Sequence, residues 1–296
     1  GSGHPADASG IPGLQELVRE TLEDIESSSS KAEEDRKSSS QINQLAYDNL
    51  QTLLRDKKPQ IKAIATDVDG TLLSGQFLHP TTSEAVIKAI DQAYNNDDAG
   101  KQKIQHFIPA TGKSRKGAMI SLGSTIGQCP GVYIQGLYCI DKEGNVVFEK
   151  KLPTSSIQAA EELVDEFGIS IVGYDGDNLY TTEQTDVVVS LSEYYREPTV
   201  ELIVNEDSKS VLKLAEHEPG MHKLLLMDED VELLKTKVRP KLEELAKRHS
   251  ATVTQAIPTM LELLPEGCSK GDGVERLCNA LGIDPSKDLL ALGDAE

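Results

Sequence analysis

Residues 61–73 read IKAIATDVDGTLL. The apolar run at Ile64 and Ala65 predicts a short buried strand. It ends in two carboxylates one residue apart, Asp67 and Asp69, followed by Gly70 and Thr71. Acids at the end of a buried strand need a cation or hydrogen-bond donors to offset their desolvation. Gly70 permits a turn there and Thr71 can bond the nearby backbone. One acid of such a pair can attack an electrophile while the other handles a proton, provided a cation suppresses their repulsion. Taken alone, the same residues are also compatible with a solvated acidic turn.

Working outward, the chain alternates strand and helix. A helix is expected from His79–Glu84 to about Tyr94, then a strand over Ile104–Ala110 running directly into Thr111, Gly112 and Lys113. A helix from about Arg115 to Ile126 follows, a strand over Val132–Ile140, and a return strand over Val146–Lys151. This order predicts a Rossmann-like parallel sheet with helices on its faces, and the sites of such sheets lie beyond the carboxyl ends of the strands. Thr111 places a hydroxyl and backbone N–H groups at a helix start, a ready anion site. Lys113, Arg115 and Lys116 add positive charge there.

The middle of the chain changes character. A helix over Thr154–Phe167 closes at Gly168. Short strands are expected around a turn at Asp175–Asn178, with further strands over Val200–Val204, His222–Met227 and Thr252–Ala256. Helices are expected over Ser208–Ala215 and Asp230–Arg248. Mixed this way, the segment predicts an inserted α+β domain. The first pattern then resumes with a strand over Leu261–Leu264, a helix over about Gly271–Leu281 and a strand over Leu289–Leu292 ending at Gly293 and Asp294. Lys270 opens a helix, where its charge opposes the dipole and asks for a nearby anion. Asp294 is one more strand-end acid. Each has an ordinary alternative, a surface lysine or an acidic turn.

The expected domains are therefore a helical extension with a Ser-rich linker over 1–60, a core over 61–140 and 253–296, and an α+β cap over 141–252. In the extension, 12–26 and 41–55 carry helical apolar spacing, as an αα-hairpin on the main domain or a partner-binding appendage.

The 296 residues carry a net charge of −19, which argues against nucleic acid and anionic membranes as general partners. No apolar run approaches the ~20 residues that span a bilayer. The four cysteines, Cys129, Cys139, Cys268 and Cys278, show no metal-binding spacing and read as reduced thiols. A cytoplasmic protein is expected, or one of an organelle stroma or matrix if a targeting segment has been removed, since the chain opens at Gly1 without Met.

Four segments together resemble a known family. D-V-D-G-T at Asp67–Thr71 resembles the first signature of the haloacid dehalogenase superfamily. A-T-G-K at Ala110–Lys113 resembles its second, S-K-G at Ser269–Gly271 its third, and G-D-A-E at Gly293–Glu296 the start of its fourth. The insert between the second and third is similar to the C2-type (IIB) cap of the Cof-like branch. The resemblance implies a Mg²⁺-dependent phosphatase of small phosphorylated metabolites, with sugar phosphates among them. Asp67 would be the nucleophile and Asp69 the acid and base. Thr111, Gly112 and Lys270 would hold the phosphoryl group, and Asp67, Asp69 through its main-chain carbonyl, and Asp294 the metal. A phosphomutase, a sucrose-phosphate-phosphatase-like enzyme and an inactive phosphate-binding scaffold are the alternatives. The sequence departs from the pattern at Lys113, where the branch commonly has Arg, and at Glu296, where the chain stops before the family's next Asn and Asp. The core is thus expected to be truncated at its C-terminus.

Overall fold

The computed structural model describes residues 61–74, 77–78, 80–94, 104–205 and 207–293. The expected N-terminal helices and linker, and Asp294, lie outside them.

The opening stretch forms β1, Ala63–Thr66, buried along its whole length. After it come the short antiparallel strands β2, Leu73–Ser74, and β3, Phe77–Leu78, and β1 itself pairs in parallel with β4, His106–Pro109, on one side and with β14, Leu289–Leu292, on the other. Period-two alternation gives β1 two buried faces. Ile64 packs with Val86 and Ile90 of α1, Pro80–Tyr94. Ala63 and Ala65 pack with Leu277 and Cys278 of α6, Lys270–Ala280. Burying a side chain such as Leu277, which is fully enclosed, stabilises the fold by about 1.5–3 kcal/mol.

A parallel bridge from Ala110 to Val132 continues this sheet into β5, Gly131–Tyr133. The single strand expected over Val132–Ile140 is broken. The backbone of Ile134, Gln135 and Gly136 has φ of 52°, 59° and 90°, and the chain reverses into β6, Tyr138–Ile140, antiparallel to β5. Strand β7, Val146–Glu149, pairs with β6 and so belongs to this first sheet.

A second sheet of six strands runs in the order β10-β9-β8-β11-β13-β12. Its members are β8 Ser170–Asp175, β9 Asn178–Thr181, β10 Val200–Leu202, β11 Lys223–Met227, β12 Ala251–Ile257 and β13 Met260–Pro265. Here the expected boundaries are corrected. Strand β13 pairs antiparallel with β11 and β12, so the chain rejoins the first sheet only after Pro265, not at 253. Likewise β7 moves the start of the insert from 141 to beyond Glu149. Antiparallel partners distant in sequence decided both points, and strand periodicity alone is silent on pairing.

One face of the second sheet is covered by α3, Thr154–Phe167, and by α5, a helical run made of Val231–Leu233, a π turn at Leu234–Val238 and Arg239–Arg248. The other face turns toward the first sheet. In β11, Leu224 and Leu226 point to the helices, whereas Leu225 and Met227 join Tyr133 and Ile134. The same alternation puts Lys223 of β11 and Glu262 of β13 on the face toward the core.

Two helix expectations change. Residues 208–215 are not a helix: Asn205 closes a turn by accepting from Asp207 and Ser208, and only Leu214–Glu216 coil, as a 3₁₀ turn. Conversely, Asp186–Glu193 is a helix, α4, capped by the Thr185 hydroxyl accepting from the Val188 N–H. Among the described residues no helix is long and apolar enough to cross a membrane. None of the four cysteines is in a disulfide.

Candidate active site

The carboxyl end of β1 delivers Asp67. Its Oδ1 accepts from the Val68 N–H at 2.7 Å, and Lys270 Nζ lies 2.8 and 2.9 Å from its two oxygens. Lys270 reaches this position because it is the first residue of α6, behind the Ser269 cap, whose Oγ accepts from the Asp272 N–H. The approach needs a residue without a side chain at 136. A Cβ on Gly136 would stand 2.1 Å from the Ser269 carbonyl oxygen, inside any tolerable contact.

Asp69 immediately precedes the turn at Gly70 and is more open, its side chain 51% exposed. Thr111 Oγ1 donates to its Oδ2 at 3.4 Å, and Lys113 Nζ stands 3.4 Å from its Oδ1. Thr111 itself is fully buried and also accepts from the Lys113 N–H at 3.1 Å. Asp67, Asp69, Thr111 and Lys270, predicted from three separated segments, therefore meet at one edge of the sheet. Gly112 lines the same cleft, and its carbonyl accepts from Lys223. Of the three cations expected beside Thr111, only Lys113 faces the cleft. Arg115 donates to the Gly127 carbonyl, and the main-chain N–H of Lys116 to Asp177.

Asp294 lies outside the described residues, which end at Gly293. The Asp67 N–H donates to the Leu292 carbonyl at 2.9 Å, and a Cβ on Gly293 would sit 3.9 Å from that of Asp67. The chain thus leaves β14 beside the first acid. Among the described residues no three His, Cys, Asp or Glu side chains cluster as a metal site. The donors at hand, two carboxylates and main-chain carbonyls with no His or Cys among them, are oxygen ligands of the kind a hard divalent cation takes. The set fits Mg²⁺.

The second sheet supplies the opposite wall, and its polar residues were not singled out from sequence. Lys223 Nζ, 3% exposed, donates to the Gly112 carbonyl at 2.9 Å and to Glu262 Oε1 at 3.0 Å. Glu262 Oε2 accepts from Gln135 Nε2 and Thr254 Oγ1 at 3.1 and 3.0 Å. Burial alone would push the Glu262 carboxyl up, but Lys223, Thr254 and Gln135 override it and hold it below its ordinary value. Glu197 is enclosed beside α2, Arg115–Leu122, and its Oε2 takes the Ser114 hydroxyl at 2.7 Å. Burial raises the pKa of Glu197, with Lys113 and Ser114 pulling against it. A Cβ on Gly117 would stand 2.3 Å from this carboxylate, so the glycine admits it. A signal for two of these residues was present: Lys223 and Glu262 are lone charges in the apolar strands KLLLM and MLELLP.

The turn expected at Asp175–Asn178 does not line the cleft. Asp175 binds Lys151 at 2.8 Å and His217 at 3.0 Å, while Asp177 and Asn178 hold Lys116.

A parallel α/β sheet with an acid pair at its central strand end, a lysine across from it and an α+β cap above defines a capped hydrolase built to handle an anion. Residues 64–296 match the model of the haloacid dehalogenase-like hydrolases, and the chain belongs to that family, in its Cof-like form. It is 32% identical over 252 residues to an Arabidopsis thaliana protein named "Endoribonuclease YBEY, chloroplastic", covering 82% of this chain but only 40% of that protein's length. It is 23% identical over 248 residues to a Streptococcus pyogenes serotype M6 protein carrying the provisional name of a phosphatase, covering 80% and 81% of the two. A solved structure described as a subclass IIB sugar phosphatase shares its fold with a TM-score of 0.58, at 17% identity, covering 79% of this chain and 81% of its own.

Proposed function

We propose that the protein is a Mg²⁺-dependent phosphatase of small phosphorylated metabolites that works through a phosphorylated Asp67. The observation that carries this reading is the Lys270 ammonium, within 2.9 Å of both oxygens of Asp67, at a strand end beside Thr111. Lys270 orients Asp67 through both carboxylate oxygens and offers positive charge where phosphoryl oxygens arrive. Catalysis of phosphoryl transfer is mostly positioning and charge neutralisation.

In this reading an Asp67 oxygen forms a bond to phosphorus as the P–O bond to the leaving group breaks, and the departing oxygen takes the electron pair. Asp69, two residues on, delivers a proton to that oxygen. It then takes a proton from a water, whose oxygen attacks phosphorus and frees Asp67. Thr111 and Lys113 stand at hydrogen-bond range of Asp69 and orient it. A Mg²⁺ ion held by Asp67, the Asp69 carbonyl and Asp294 would supply further neutralisation of charge on the phosphoryl group.

The ribonuclease named in the plant relative is not carried over, since more than half of that protein lies beyond the match. A charge of −19 also opposes a polyanionic substrate. The cytosol or an organelle stroma, where the cysteines stay reduced, is the proposed compartment. The test is phosphate release from a generic alkyl phosphate with and without MgCl₂. Turnover is expected only with the metal, and Asp67→Asn is expected to lower it by roughly 10⁴-fold or more. Turnover by Asp67→Asn at the parent rate would exclude the covalent route.

A further inference from the structure

Between the two sheets lies a cleft of about 650 Å³ that contains Asp67 and Lys270. Pockets of about 300–1,000 Å³ hold whole small molecules, so the space beyond the phosphoryl group is there for the leaving group. Two observations say what kind.

The first is that the buried charged side chains of the cap wall, Lys223, Glu262 and Glu197, already hold partners within the protein. An ammonium has three donors. Those of Lys223 are met by the Gly112 carbonyl, by Glu262 and by the ring of Tyr174, whose centroid is 4.4 Å away. Glu262 is taken up by Lys223, Gln135 and Thr254. The Tyr174 phenol bonds Glu197, which Ser114 also binds through its N–H and hydroxyl. A polyhydroxylated leaving group would gain little from Lys223, Glu262 and Glu197 for the water it sheds, and each buried polar group left unsatisfied costs about 1–3 kcal/mol.

The second is an aromatic pair fixed at the lip. Tyr194 and Tyr195 meet edge to face with centroids 4.9 Å apart. Their turn is tied down from both sides. Lys113 donates to the Tyr195 carbonyl at 2.6 Å, and the Glu197 N–H donates to the Leu191 carbonyl at 2.9 Å. Tyr194 nevertheless leaves its side chain in solvent, with the residue 60% exposed. Ile257 and Met260 line the same cleft. A ring on a turn whose backbone is tied down, beside aliphatic edges, is a stacking platform, costly in water and useful under a flat ligand.

We propose that the phosphate ester cleaved here is that of a flat aromatic or heteroaromatic alcohol, its ring received by Tyr194 and the Ile257–Met260 edge, and not that of a sugar. This names the substrate class of the reading above and rests on it.

The test compares benzyl phosphate, pyridoxine 5′-phosphate and glucose 6-phosphate on the full chain. All three are esters of primary alcohols, so their leaving oxygens are alike and differences read the pocket. Affinities are measured by calorimetry on Asp67→Asn protein, and kcat/KM on the parent with MgCl₂. The aromatic esters are expected to bind at least about tenfold more tightly than the sugar ester. Tyr194→Ala, an exposed position where folding is not at stake, should erase about tenfold of that preference and leave glucose 6-phosphate unchanged. Equal or better binding of glucose 6-phosphate overturns the proposal, as does a Tyr194→Ala loss shared equally by all three esters. Preferential aromatic binding without turnover of any ester would sink the phosphatase reading while upholding the pocket assignment.

Discussion

Asp67–Lys270 on the core side of the cleft and Glu262–Lys223 on the cap side are the same chemical pair in two settings. The first is open, with side chains 15% and 33% exposed, and its lysine spends its contacts on one carboxylate. The second is sealed, at 11% and 3%, and each member holds partners besides the other, Gly112 and Tyr174 on Lys223 and Gln135 and Thr254 on Glu262. An ion pair that water can reach is worth little to stability, whereas one member of a buried pair cannot be removed without stranding the other. The core pair is thus suited to exchange partners with an incoming anion, and the cap pair to hold a surface in shape. Proximity to the cleft does not separate these roles, since both pairs line it.

The sharpest way to break this contrast is to cut each pair once. Glu262→Ala is expected to cost about 3–5 kcal/mol of folding stability, because Lys223 is left buried and uncompensated. Chemical denaturation measures it, and most of the loss should return in the Lys223→Met, Glu262→Ala double variant. Lys270→Met is expected to do the reverse. Turnover of a phosphate ester should fall about 10²- to 10³-fold, while the exposed pair contributes no more than about 1 kcal/mol to stability. A large stability loss from Lys270→Met, or none from Glu262→Ala, would erase the distinction.

The smallest expected effect is one of sign, and it lies within the cap. Glu262 has its pKa held below the ordinary 4.5, so its contribution is present above that pH and is lost as pH falls through its folded value. Glu197 is raised above 4.5, so its contribution is full below that pH and is lost as pH rises through its folded value. Glu197→Gln should therefore melt slightly higher than the parent near pH 8, with the gain fading below about pH 4.5. Thermal melts of the two proteins between pH 4 and 8 decide it.

The difference between these sites also marks what could be read from sequence. Asp67, Asp69 and Thr111 sit where strands of the first sheet end, with Lys270 at the head of the helix packed on that sheet, and strand ends are local: an apolar run, then a polar residue, then a turn. Parallel topology brings such ends together without further information. The cap wall gave no such handle. Its residues converge only once β13 is known to lie between β11 and β12, a pairing among strands far apart in the chain. The same missing information misplaced both domain boundaries. The reversal at Ile134 and Gln135 was hidden for another reason, since neither is a residue type that favours positive φ. The helix over Asp186–Glu193 was legible in principle, from Thr185 as cap and Val188 and Leu191 as its buried side.

Gly136 shows where tolerance ends in this molecule. It belongs to the loop after β5, touches no proposed reactant, and has φ of 90°. Yet its clearance from the Ser269 carbonyl sets how far the start of α6 can advance, and so the reach of Lys270 toward Asp67. A methyl group there would act as a shim, backing the lysine away from the acid with every charged residue still in place. The working distance of the site is machined by an atom that is not there.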